Sequence, residues 1–453
     1  MLCRPAAAVD PDLRVNNLTG SDPPAASGAP ANFGPFSALA TCHTNGVNTN
    51  VIQWALNPLA GVPTDGSAVL WLGTASGRRL SKITARTATT VTVEDSFNIS
   101  AASPVDCAVG GKVASITSTR WLGSRNIGWT ISIEDTGTPY VMAASVNVSA
   151  AGNQPFGGRH WTMRGVLPDT NTPSRPTLRW TGNNVAFIAG GNSMQNAYVR
   201  DLILENTSAV KTNVTVYDFT NDDQVWRNVK FVGFNGVQVS GSRCLLIAVE
   251  ATGGPLGISS GGSGSEGICL TIGSYSHDNS GAGFFGMLNN WMFYDISANN
   301  TGPGHQNSGG GGAFAVHSTF YGNGGDGIQY GSASSGQVIV GNLITNNTGV
   351  GLLGTPGTAD GAQSLTRLID ANAYFANTGG NYNNAVAGPN DTTGLNPAYT
   401  NPAGLDWSIG PALSSRGWPP STIVAGVSST TTTGTEPGAS QRSGGAGAAN
   451  YAY

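Results

Sequence analysis

Short apolar runs of four to eight residues recur along the second half of the chain, each bounded by Gly or Asn. "GFFGML", "WMFYDI", "GIQYG", "QVIVGNLI" and "GLLG" are all too short for helices and read as strands. Between them the pattern Asn-x-Gly-x-Gly begins at Asn279, Asn300, Asn323 and Asn347, in steps of 21, 23 and 24 residues, with a decayed copy at Asn377. Even spacing of a turn phrase around several short strands predicts one coil of a parallel β-helix per period. The residues after the Asn-Gly turns, Val237, Phe284, Ile328 and Leu352, are expected to form one inward column. Asn suits the turns because it tolerates left-handed backbone angles and can hydrogen-bond along a stack, and Gly tolerates positive φ.

The period extends backwards less regularly. "VRDLILEN" at Val199 aligns with "WRNVKFVGF" at Trp226, pairing Arg200 with Arg227 and Asp201 with Asn228. "TTVTVED" at Thr89 and "WTISIED" at Trp129 alternate with period two and predict half-exposed strands. The expected fold class is therefore all-β: a right-handed single-stranded parallel β-helix with a small N-terminal β module and a C-terminal cap. The boundaries read as an N-terminal arm or attachment segment over 1–48, a β-rich module over 49–125 that covers the first coil, the β-helix over 126–385, a cap over 386–425 and a low-complexity tail over 426–453.

Composition agrees with stacked coils. Charged residues are 10% of the 453, against about a quarter in ordinary domains, and Gly numbers 65. Hydrophobic residues at 39% and a net charge of -4 argue against disorder. No basic run marks nucleic acid or an anionic membrane as a partner, and no export signal is expected from "MLCRPAAAVDPDLRV". Cys3, Cys42, Cys107, Cys244 and Cys269 lack CxxC spacing and read as buried free thiols, with Cys244 and Cys269 one coil apart as a stack and a disulfide between them second. The five histidines show no metal-ligand spacing, and neither a metal nor another cofactor is expected.

"RPTLRWTGNNVAFIAGGNSMQNAYVRDLILENTSA" resembles the early coils of the pectate-lyase-like right-handed parallel β-helix proteins. "VNNLTGSDPPAASG" followed by "FGPFSALATC" is similar to their lead-in. "DANAYFANTGGNYNN" followed by "NPAGLDWSIGPAL" is similar to the closing coils and cap of members from bacteriophages and environmental bacteria, and "EPGASQR" to their last residues. The resemblance implies the fold over most of the chain. It leaves function open, because that scaffold carries lyases, hydrolases, adhesins and phage spikes.

Candidate chemistry lies in acids and aromatics. The Ca²⁺ carboxylate cluster of the lyases has only Asp218, Asp222 and Asp223 as counterparts, and the paired Asp and Gly-His-Gly of polygalacturonases are not matched by "NDD" and "PGHQ". Glycoside hydrolysis needs a proton donor and a second carboxylate within about 5 to 10 Å. Asp201, Asp218, Asp223 and Glu250 are the candidates for that role, with Glu205 on a neighbouring coil. Trp226, Trp291, Tyr294 and Tyr330 are candidates for stacking on a glycan. His277 beside Asp278 reads as a structural hydrogen bond at a turn.

Two functions follow. The first is a virion structural protein of a bacteriophage, a tailspike, fibre or capsid decoration located in the virion. It would form a homo-oligomer, a trimer being favoured, and contact other virion proteins or host-surface polysaccharide. The alternative is a secreted or surface-located polysaccharide hydrolase or lyase, and a further one is a bacterial surface adhesin.

Overall fold

The computed structural model describes residues 12–18, 38–46, 48–53, 69–74, 77–87, 89–94, 96–110, 112–114, 116, 130–143, 161–182, 197–211, 224–238, 243–259, 268–286, 290–307, 313–330, 336–354, 367–404, 406–410 and 413. The chain divides into two compact units: Met1–Trp180 with Phe187–Ile203, and Thr181–Ala186 with Leu204–Tyr453.

The first unit contains a closed antiparallel barrel of Ala38–Asn45, Asn48–Gln53, Val69–Thr74, Gly77–Arg86, Thr90–Val93 and Val105–Gly110. Its core is Ile52, Leu70, Leu72, Ile83, Val91 and Val93 with the thiols of Cys42 and Cys107. The alternation seen in "TTVTVED" becomes Thr90–Val93, with Val91 and Val93 turned inward. The same unit holds parallel coil strands, in which Asp12–Val15 pairs with Thr130–Glu134, and that strand pairs with Trp161–Val166. Within the segment expected as an arm over 1–48, Asp12–Val15 is a coil strand and Ala38–Asn45 a strand of the barrel. Leu13 and Val15 alternate into the core at 0% exposure, and the barrel already begins at Ala38.

A buried acid ties these strands together. Glu134 Oε1 accepts from Arg14 at 2.9 Å and from the Asp169 backbone N–H at 3.1 Å, and Oε2 accepts from Asn16 at 2.5 Å with Lys112 Nζ 3.3 Å away. Burial would raise its pKa, but those donors and cations outweigh it and the carboxyl is held below its usual value.

The second unit is a stack of coils, and the fold is the expected right-handed parallel β-helix. Each coil contributes one strand to each of three parallel rows. In the coil that starts at Asn290 these are Asn290–Phe293, Ile296–Ala298 and His305–Gln306. Register then aligns equivalent residues coil after coil. In the third row the inward column runs Val237, Ile258, Phe284, His305, Ile328, Leu352 and Tyr382. The four members expected from sequence are all present, and Ile258 and His305 fill the rungs between them. His305 is buried among apolar neighbours, its Nδ1 has no partner, and burial lowers its pKa to about 4.

The repeated Asn is the corner of each coil. Asn279 Nδ2 donates to Asn300 Oδ1 at 2.9 Å, Asn300 to Asn323 at 3.0 Å, Asn323 to Asn347 at 2.9 Å and Asn347 to Asn377 at 3.0 Å. Each Oδ1 also accepts the backbone N–H of the preceding Asn, so the buried corner leaves no amide unpaired. The last Gly of each motif makes room for this ladder. A Cβ at Gly283 or Gly304 would lie 2.6 or 2.8 Å from Nδ2 of Asn300 or Asn323 in the next coil. Left-handed residues mark this corner, as at Asp278 (φ 53°) and Asn346 (φ 57°), and the corner between the first and second rows, as at Tyr294 (φ 57°) and His317 (φ 50°).

A second polar ladder passes through Ser274, Asp295, Ser318, Asn342 and Asn372. Asn342 and Asn372 donate Nδ2 to the carbonyls of Ala315 and Ile339 one coil back. Asp295 has no amide to do so and instead meets Thr271 Oγ1 at 2.5 Å, and its complete burial raises its pKa to about 8.

Stacking also continues beyond the expected limit at residue 385, since Thr392–Thr393 pairs with Ala373–Phe375. The segment from Asn396 to Leu413 then folds back over the second row. Ile409 and Leu413 pack with Leu343 and Ala373, and Tyr399 meets Thr345 at 3.0 Å.

Two stability predictions follow from the ladders. Asn323→Ala removes the acceptor shared by the backbone N–H and the Nδ2 of Asn300, leaves that buried N–H unpaired, and is expected to cost roughly 3 kcal/mol in urea unfolding. A carboxyl whose folded pKa is raised stabilises fully below its unfolded value and loses that contribution as pH rises. Asp295→Asn should therefore remove a decline in stability between about pH 4 and pH 8, read from melting temperature against pH.

Candidate functional site

On the outward side of the second row, register places Lys230 beside Glu250 and Glu250 beside Tyr275, with Thr252 beside His277. Alternation along each short strand sends Ala251 and Ser276 inward, so their neighbours face outward together. Lys230 Nζ lies 2.7 Å from Glu250 Oε1, and His277 Nε2 lies 3.1 Å from the same oxygen. On the other side of the imidazole, Nδ1 is 2.6 Å from Asp278 Oδ2 and 3.4 Å from Thr252 Oγ1. Tyr275 stacks on the His277 ring with centroids 4.0 Å apart. Trp407, brought by the fold-back segment, meets Tyr275 edge-on at 6.3 Å and also contacts Tyr321 and Tyr399.

The electrostatics separate the two acids. Burial works to raise the Glu250 pKa, but the hydrogen bonds and charges of His277 and Lys230 bring it down to about 2, so it remains a carboxylate. Burial disfavours the His277 cation, but the hydrogen bonds and charges of Glu250 and Asp278 outweigh it and raise the imidazole above its usual value. Asp278 is the open member, with its side chain 59% exposed against 22% for Glu250.

Of the acids expected from sequence, Glu250 is in this cluster. Asp201 lies in the first unit, at a left-handed corner (φ 57°), nearly buried and 3.2 Å from Arg200. Asp218 and Asp223 fall outside the described residues. Glu205, in the strand Ala197–Asn206, is half-buried. Two of the four expected glycan-binding aromatics are buried. Trp226 is fully buried with its indole N–H on Gln224 Oε1, and Tyr330 is 2% exposed, so neither ring presents a face to a sugar. Trp291 is partly exposed in an outward apolar column, but its ring stacks on Phe314 at 4.4 Å. Tyr294 stacks on His317 at 5.6 Å.

The pairing of His277 with Asp278 was visible in the sequence as a local contact. Its union with Glu250 and Lys230 was not, because those residues lie one and two coils away. Cys244, buried and free, pairs in backbone register with Cys269 as their one-coil spacing suggested. Among the described residues no group of three His, Cys, Asp or Glu could hold a metal ion.

No family model matches the chain, and no curated protein matches it. Among solved structures, the catalytic domain of a GH87 alpha-1,3-glucanase in complex with tetrasaccharides is similar at 12% identity and a TM-score of 0.33. It covers 84% of this chain and 87% of that one. The same kind of domain in complex with nigerose is similar at 8% identity and a TM-score of 0.28, covering 76% of this chain and 90% of that one.

The cluster has a defined pH window. His277, with its raised pKa, stabilises fully below its unfolded value of 6.5 and loses that contribution as pH rises through the folded value. Glu250 stabilises above 4.5 and loses its contribution as pH falls toward about 2. In an Asp295→Asn background the buried neutral His305 makes urea stability rise from about pH 4 to 6.5, so the maximum should lie near pH 6.5, and His277→Gln should flatten the alkaline side.

Proposed function

We propose that this chain is a polysaccharide-cleaving protein that works at Glu250, His277 and Asp278. The observation that supports this reading is the placement of two carboxylates on opposite nitrogens of one imidazole. The imidazole is thereby held as a cationic acid with an exposed carboxylate beside it, the two groups that acid–base cleavage calls for. In this reading Glu250, permanently ionised and held by Lys230, orients His277 and keeps it protonated. A glycosidic oxygen that takes the place of Asp278 on Nδ1 receives that proton. Asp278, exposed and beside the same point, accepts a proton from the attacking water.

A second reading, a virion attachment protein that holds host-surface glycan without cutting it, draws support from one feature. Both imidazole nitrogens already face carboxylates, so at rest His277 has no free proton to give.

Release of reducing ends from a panel of bacterial and fungal polysaccharides tests the proposal. The wild-type chain should release them with a bell-shaped pH profile whose upper limb lies above 6.5. Asp278→Asn and His277→Gln should each lower the rate by about 10² or more. No release from any member rejects cleavage, full rates in both variants reject His277 and Asp278 as its site, and retention of a glycan without release favours the attachment reading.

A further inference from the structure

The outward column of the third row has a composition unlike the rest of the coil surface. Register aligns Phe285, Gln306, Gln329, Leu353 and Asn383 on five successive coils, one residue per strand. Their inward neighbours Phe284, His305, Ile328 and Leu352 are buried, so alternation turns this set outward. Phe285, Gln306, Gln329 and Leu353 are half-buried, and Asn383 is exposed.

The two Gln side chains contrast with the corner ladder a few residues away. There every Asn amide bonds to the next coil. Gln306 and Gln329 sit one coil apart, about 4.8 Å, yet neither side-chain amide bonds to any other residue among those described. Each is half-buried, and its amide keeps donors and an acceptor that the described residues do not use. Phe285 lies one rung before them and Leu353 one rung after, supplying apolar contact at both ends. The strip carries no charged side chain, and its four steps span about 19 Å.

We propose that this strip binds a neutral polysaccharide laid along the coil axis, with hydroxyls on Gln306, Gln329 and Asn383 and the C–H faces of the sugars on Phe285 and Leu353. An amide that both donates and accepts matches vicinal hydroxyls, and the lack of charge gives uronate or sulfate groups no partner. A protein partner fits less well. A standard protein interface needs about 800 Å² per side, and five side chains in single file do not supply it. The choice of a carbohydrate rests on the polysaccharide reading above, but the strip is a separate surface from Glu250 and needs no cleavage to act.

The test is retention on a printed array of neutral and charged polysaccharides, read alongside reducing-end release. Wild-type protein should be retained on neutral members, and Gln306→Ala combined with Gln329→Ala should weaken this about tenfold at an unchanged melting temperature. Retention on charged members alone, retention on none, or neutral retention that survives the double substitution overturns the inference. Retention lost in the double variant from a wild type that releases no reducing ends would reject cleavage and leave the strip standing.

Discussion

The structure of the second unit depends on saturating the buried amides at each coil corner. A polypeptide that turns inward every few residues leaves backbone N–H groups away from water, where an unmade hydrogen bond is costly. Asn279, Asn300, Asn323, Asn347 and Asn377 meet this need together, each bonding to the next through side chain and backbone. The glycine that ends each motif follows from the same contact, since a side chain there would collide with the neighbouring amide. Once these corners are stacked, the three rows of strands are held in register and every outward residue acquires a partner one coil away.

That register divides the outward surface by chemistry. The second row is covered at its later coils by the fold-back segment, whose Trp407, Ile409 and Leu413 pack on Tyr321, Leu343 and Ala373. Its earlier coils carry the charged cluster of Lys230, Glu250, His277 and Asp278, with Tyr275 stacked on the imidazole and touching Trp407. The third row carries an uncharged strip instead. A single scaffold thus presents a charged cluster on one row and an uncharged strip on another.

Much of the fold was legible in the chain itself. Spacing of the Asn motif identified the coil, and Val237, Phe284, Ile328 and Leu352 identified an inward column before any coordinates. The alignment of Asp201 with Asn228 also reflects a shared local geometry, since both adopt left-handed backbone angles. Aromatic side chains were less legible. Trp226 lies in the nine-residue strand Gln224–Val232 and Tyr330 just after the two-residue strand Ile328–Gln329, and only the phase of alternation there places them inside.

By itself, therefore, the sequence determined what repeats locally: period, corner chemistry and the inward column, each of which is governed by residues adjacent in the chain. Tertiary structure decided which outward groups meet. Glu250 reaches Lys230 and His277 only because successive coils stack in a particular register, and that register depends on coil lengths and insertions that vary along the chain. Trp407 reaches Tyr275 by a fold-back of the chain that no periodicity encodes. The physical reason is that hydrogen bonding between coils aligns the rungs, whereas charge pairing and ring stacking act between side chains only after that alignment exists.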